Sequence, residues 1–243
     1  KKKNDHKYSR GKLIVIGGEI NMIGATILGS EAALRVGIGS VKIICSKKTL
    51  PIYSLRFPSA LKEVINNLSS LKKLIIKEKN SIFLIGPGAG VNQLTKERTK
   101  LILKNSKYAI IDADALTSFK NNPKELYGLL DNNKIITPHI KEFHRIFPFI
   151  KKNISNHEKI VRASKFCNCT IVLKGSNTLI YSPRNKIVMN KHTSSELATI
   201  GSGDVLSGII SSLVGKNKLN PFLASCAGVW IHGNIAKKFG PGL

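Results

Sequence analysis

Gly201-Ser202-Gly203-Asp204-Val205-Leu206-Ser207-Gly208-Ile209-Ile210 is the stretch from which the rest of the chain is read outward. Small residues come first, then apolar residues at helical spacing, so a glycine turn opens a helix here. A helix N-terminus presents unpaired amides and the positive end of its dipole, which together hold a phosphoryl group. Asp204 falls in the first turn. There a carboxylate can take a proton from an attacking hydroxyl while the amides of the helix start stabilise charge on the group in transfer. A structural reading fits the same residues: an acid that is favourable at a helix start, with glycines chosen for close helix packing.

Upstream, short β-branched runs alternate with helical patterns, as in a mostly parallel sheet with crossover helices. Leu13 to Ile16 reads as a buried strand that ends at Gly17-Gly18, and residues 24–36 read as a helix. Strands follow at Val41–Cys45, Ser81–Ile85, Tyr108–Ile111, Lys134–Ile136 and Thr170–Lys174, with a helix over Gln93–Lys104. Ser155 and Glu158 have capping-box spacing, Thr178–Tyr181 and Ile187–Met189 suggest antiparallel pairing, and Asn220-Pro221 opens a last helix to about Lys238. With no repeat and no Pro-, Gly- or Ser-rich linker, residues 1–243 are expected to form one α/β domain.

That length buries a substantial core without staples. The four cysteines, at 45, 167, 169 and 226, make no C-x-x-C pair and read as reduced thiols of a cytoplasmic protein. The formal charge of +25 is spread along the chain, and only 6% of residues are aromatic, so no nucleic-acid surface is expected. The charge instead draws anionic small molecules. No apolar run is long enough to cross a membrane. Lys1-Lys2-Lys3-Asn4 looks like the basic start of a leader, but Leu13 to Gly18 is too short behind it and Glu19 interrupts it. A start without Met fits an excised domain, a trimmed tail or a longer parent.

Four further segments fall at predicted strand ends, where α/β sheets bind ligands. Lys174-Gly175-Ser176-Asn177-Thr178 is either a plain hairpin turn or a segment whose Lys174 and Thr178 touch nucleotide phosphate or ribose. Gly86-Pro87-Gly88-Ala89-Gly90 follows a strand but lacks the Lys-Ser/Thr of a P-loop. Asp112 and Asp114 are expected on one side of an extended segment, facing a Mg²⁺-nucleotide or a substrate hydroxyl, with a helix N-cap as the other role for Asp112. His139 follows Thr137-Pro138 at the same rim.

Taken in order, these segments resemble the ADP- or ATP-dependent NAD(P)H-hydrate dehydratases of the ribokinase-like superfamily. The resemblance runs from Arg10-Gly11-Lys12 through Gly24-Ala25 and Ala32 to Gly39, then Gly86 to Gly90, Asp112 to Leu116, Thr137 to Glu142, Lys174-Gly175 and Gly203-Asp204. It implies a three-layer sandwich with a mostly parallel central sheet, and dehydration of C6-hydrated NADH or NADPH with ADP or ATP as phosphoryl donor and Mg²⁺. It also implies Asp204 as the base with Gly201 and Gly203, and Lys174, Gly175, Ser176, Asn177, Thr178 and Gly203 toward the nucleotide. Ala25, Gly88, Asp114, His139 and Asp204 would face the hydrated dinucleotide. A homotetramer is implied too, and in bacteria an epimerase domain often precedes this one. The alternative within the superfamily is a kinase acting on a hydroxymethylpyrimidine or thiazole alcohol. One departure stands out: Thr193 to Ile200 replaces the family's usual turn, and Ile200 stands in place of a glycine, which is expected to narrow the approach of the nucleotide.

Overall fold

The computed structural model describes residues 10–191, 195–216 and 219–240; the basic start and Thr193-Ser194 lie outside them. The chain runs β1 (Lys12–Ile16), α1 (Ile23–Val36), β2 (Ser40–Cys45), α2 (Leu50–Arg56), β3 (Leu61–Val64), α3 (Leu68–Lys77), β4 (Ile82–Ile85) and α4 (Gln93–Asn105). It continues with β5 (Tyr108–Ile111), α5 (Ala113–Thr117), α6 (Lys124–Tyr127), β6 (Lys134–Ile136), α7 (Ile140–Ile146), α8 (Asn156–Cys167) and β7 (Thr170–Leu173). The antiparallel β8 (Leu179–Tyr181) and β9 (Val188–Met189) follow, then α9 (Ser202–Lys216) and α10 (Pro221–Phe239).

All strands pair into one sheet of order β3-β2-β1-β4-β5-β6-β7-β8-β9, parallel from β3 through β7. Parallel strands end on the same edge, so the segments after β1, β4, β5, β6 and β7 share one rim. The chain order turns back between β1 and β4, the switch point where α/β sheets open a crevice. Gly17-Gly18 and Gly86 to Gly90 meet there: the Glu19 amide donates to the Gly88 carbonyl at 2.7 Å.

Alternation along β1 explains the three layers. Ile14 and Ile16 pack with Phe83, Ile85, Phe143 and Phe147 on one face; Leu13 and Val15 pack with Ile43, Leu206, Ile210 and Leu213 on the other. Each such side chain, fully buried, contributes roughly 1.5–3 kcal/mol. The expected caps form at Asn220, which accepts from the Leu223 amide, and at Ser155, which accepts from the Glu158 amide. Glu158 does not reach back as a capping box would; its carboxylate takes a hydrogen bond from Arg162 one turn on.

On the second face α1 crosses α9 with backbone against backbone. A Cβ on Gly208 would lie 2.0 Å from the Gly29 carbonyl oxygen, and one on Gly29 would lie 3.0 Å from the Asp204 carbonyl oxygen. The structural reading of these glycines therefore holds for Gly208. Gly208→Val, which forces the helices apart, is expected to destabilise the fold by about 1–3 kcal/mol, read as a lower urea midpoint; an unchanged midpoint would mean that the crossing tolerates a side chain.

Candidate active site

The turn before α9 carries its backbone freedom at Gly201, whose φ of +92° suits glycine. Ile200 has no positive φ, and its side chain stands fully in solvent. The expected crowding by Ile200 is thus corrected: the left-handed residue is the next one, and the bulky side chain points away. Helix geometry leaves the amides of Gly203 and Asp204 without partners inside α9, facing outward from its first turn.

Across from that turn stands Lys174. Its backbone is tied to β6's end, with the Lys174 amide donating to the Pro138 carbonyl at 2.9 Å. Its Nζ donates to Asp112 Oδ1 at 2.7 Å, and a Cβ on Gly203 would lie 3.4 Å from that Nζ. Burial works to lower the Lys174 pKa, but Asp112, Glu142 and Asp204 outweigh it and leave the pKa raised, so the lysine is a fixed cation. Asp112 is 1% exposed, and its second oxygen, Oδ2, is buried without a hydrogen-bond partner.

The same surroundings tune Asp204. Burial first, then repulsion from Asp112 and Asp114, raises its pKa to about 6 against the pull of Lys174. Such a carboxylate is ionised at neutral pH yet holds a proton better than a free one, as a general base must. Asp114 is raised as well, first by burial, with the Gly90 amide opposing and Asp112 adding.

A cavity of about 610 Å³ gathers most of the residues expected at the nucleotide: Lys174, Gly175, Ser176, Thr178 and Gly203, with His139 beside them. Asn177 is exposed and does not line it. The Thr178 hydroxyl closes its own turn, donating to the Gly175 carbonyl at 3.1 Å. Ala25 lies in the first turn of α1, half-buried, and Gly88 is buried in the switch-point loop. The two aspartates do not share one side of an extended segment. Asp112 is the N-cap of α5, with Oδ1 accepting from the Ala113 amide, whereas Asp114 is inside α5 and accepts from the Gly90 amide at 2.9 Å. Ala113 between them takes φ +43°, which turns the chain sharply enough to send the carboxylates to different partners. His139 is a cap as well as a rim residue: Nδ1 accepts from the Lys141 and Glu142 amides, and Glu142 accepts from the His139 amide. Sequence reading missed His232 of α10, which also lines the cavity; a lone histidine in an apolar helix carries no spacing signal.

The architecture and rim define a ribokinase-like enzyme. A solved ribokinase-like superfamily protein of Enterococcus faecalis superposes with a TM-score of 0.85 at 26% identity, covering 98% of this chain and 83% of its own. A family model described as NAD(P)H-hydrate dehydratase matches residues 13–240, and the chain belongs to that family. It is 32% identical over 240 residues to the ADP-dependent (S)-NAD(P)H-hydrate dehydratase of Neisseria meningitidis, covering 96% of this chain and 78% of the relative. It is 30% identical over 224 residues to the bifunctional NAD(P)H-hydrate repair enzyme of Dictyoglomus turgidum, covering 86% of this chain but only 42% of that enzyme.

Two outcomes follow from the charges. Lys174→Met strips the buried Asp112 of its cation and is expected to cost about 3–5 kcal/mol, with Asp112→Asn in the same chain recovering part of that in urea unfolding. Wild-type stability in the single variant would show that the pair holds nothing together. The raised pKa of Asp204 means that the folded state binds its proton more tightly than the unfolded state does. Its contribution is therefore most favourable below the unfolded value of about 4 and is lost as pH rises through about 6. Asp204→Asn should accordingly raise the melting temperature at about pH 8 and change it little at about pH 4; equal shifts at both would contradict a buried, repelled carboxylate.

Proposed function

We propose that this chain restores C6-hydrated NADH or NADPH to the dihydronicotinamide, with ADP or ATP as phosphoryl donor. The observation that carries the reading is Asp204: a carboxylate with its pKa lifted to about 6, on the first turn of a helix whose open amides share a cavity with Lys174. In this reading Asp204 takes the proton of the C6 hydroxyl as its oxygen attacks the terminal phosphorus. The Gly203 amide, the turn at Gly201 and Lys174 hold the negative charge of the phosphoryl group in transfer. The C6–O bond then breaks toward phosphate, pushed by the ring-nitrogen lone pair, and loss of a proton from C5 restores the double bond. Gly175, Ser176 and Thr178 face the nucleotide, while Ala25, Gly88, Asp114 and His139 face the dinucleotide side.

Mg²⁺ fits the residues present. Among the described residues no cluster of three or more His, Cys, Asp or Glu could hold a metal. Mg²⁺, however, is commonly bound through one or two carboxylates with substrate phosphates and water. Asp112, with its buried unpartnered oxygen, is the residue that would hold it. When bound, the ion would neutralise charge on the nucleotide phosphates. No described helix is long and apolar enough to cross a membrane. Free thiols at all four cysteines support a cytoplasmic setting, and exposed Ile235 and Phe239 on α10 offer an apolar face for the expected tetramer.

The test is recovery of dihydronicotinamide absorbance from purified hydrated NADH with Mg²⁺ and either ADP or ATP. Recovery that needs both protein and nucleotide is expected, and it names the donor. Asp204→Asn should lower kcat by at least about 100-fold with nucleotide affinity retained. Nucleotide-dependent thermal stabilisation without recovery would move the reading to a sister kinase with another alcohol substrate.

A further inference from the structure

His232 stands between two cavities. One is the cavity described above; the other, of about 470 Å³, lies behind the 199–202 turn among Leu28, Val205, Ile209, Ile235, Ala236 and Phe239. Within the turn Ile200 projects into solvent, the Val205 amide donates to the Gly201 carbonyl at 3.0 Å, and the Ser202 amide reaches the Thr199 carbonyl at 3.4 Å. The tie that reaches it from another element comes from α10, where His232 Nε2 lies 3.4 Å from Ser202 Oγ and the imidazole also bonds to the Ser202 backbone. Ser202 is the first residue of α9, so whatever fixes it also aims the Gly203 and Asp204 amides that follow. Burial lowers the His232 pKa to about 4, with the Ser202 backbone opposing, so the ring is neutral throughout the range in which Asp204 ionises and adds no charge to the site.

We propose that His232 is a positioning residue of the phosphoryl-holding turn, a strut from α10 that fixes Ser202 and with it the amides at the start of α9. This rests on the dehydratase reading for its kinetic consequence, not for its geometric one. A strut acts on the step in which charge develops at those amides, so its loss falls on kcat more than on KM; a residue that packed against the nucleotide base would move KM instead. A displacement of about 1 Å in such donors costs on the order of 100-fold in rate.

The experiment compares His232→Leu, which keeps bulk and loses the hydrogen bond, with His232→Gln, whose side-chain amide can reach Ser202 as Nε2 does. Expected for His232→Leu is a fall in kcat of about 10- to 100-fold with KM for the hydrate within about threefold. ADP binding by calorimetry should weaken while adenosine, which carries no phosphate, binds as in the wild type. His232→Gln should recover most of both. An unchanged kcat in His232→Leu, a change confined to KM, or a His232→Gln variant as impaired as His232→Leu would each overturn the strut. If the wild-type chain turns over no hydrate, the dehydratase reading fails alone, and the ADP-against-adenosine contrast between the two variants still decides the role of His232.

Discussion

Helices α1 and α9 touch where neither has a side chain, at Gly29 and Gly208, and the site depends on this contact. The crossing brings α9 down onto the sheet so that its second turn packs on the core while its first turn reaches the rim. A helix held even a methyl group further out would lift its N-terminal amides and Asp204 away from Lys174. The dipole and the open amides are properties of any helix start; their use here comes from where that start is held. The apolar core of the second face therefore bears directly on the chemistry, because Leu206, Ile210 and Leu213 anchor the helix whose first turn carries the base.

Electrostatics then divides the labour among like charges. Within reach of one lysine lie Asp112, Glu142 and Asp204, in a protein whose net charge is +25. The surplus of surface lysine pulls anions inward from solvent but is screened over about 8 Å at physiological salt. Inside, burial first and then the neighbouring carboxylates lift Asp204. Asp112 keeps Lys174 in place and Glu142 locks the start of α7, so two carboxylates have structural partners, while Asp204 on the first turn of α9 has a raised proton affinity.

The sheet, its order of use and most of the rim were legible because buried parallel strands are short continuous apolar runs punctuated by glycine or proline, as at Leu13 to Gly18 and Ile135 to Pro138. The strand Leu61–Val64 and the helices Leu50–Arg56 and Leu68–Lys77 were not. The strand is an edge with a lysine and a glutamate among four residues, and its burial is partial. The cap at His139 escaped notice because imidazole is not among the usual N-cap side chains, and the bend at Ala113 because alanine gives no hint of a positive φ. Ile200 was misread for a related reason: sequence places the missing glycine but does not say which neighbour absorbs the turn. Asp204 could be located from its glycine turn, whereas its proton affinity depends on burial first and then on Asp112 and Asp114, about ninety residues away in sequence and adjacent only once β5 and α9 are packed.

The cap at His139 also fixes the hand that this residue can offer a ligand. With Nδ1 accepting two backbone amides at 3.1 Å each, the neutral ring carries its proton on Nε2, 3.5 Å from Glu142 Oε1 and on a half-exposed edge of the cavity. A histidine in solution can present a lone pair or a proton; this one has only the proton to give. A group that comes to rest against Nε2 meets a donor that Glu142 Oε1 already faces at 3.5 Å, so an acceptor oxygen fits there better than an amide N–H. The start of a structural helix thereby selects the polarity of the molecule that the rim admits.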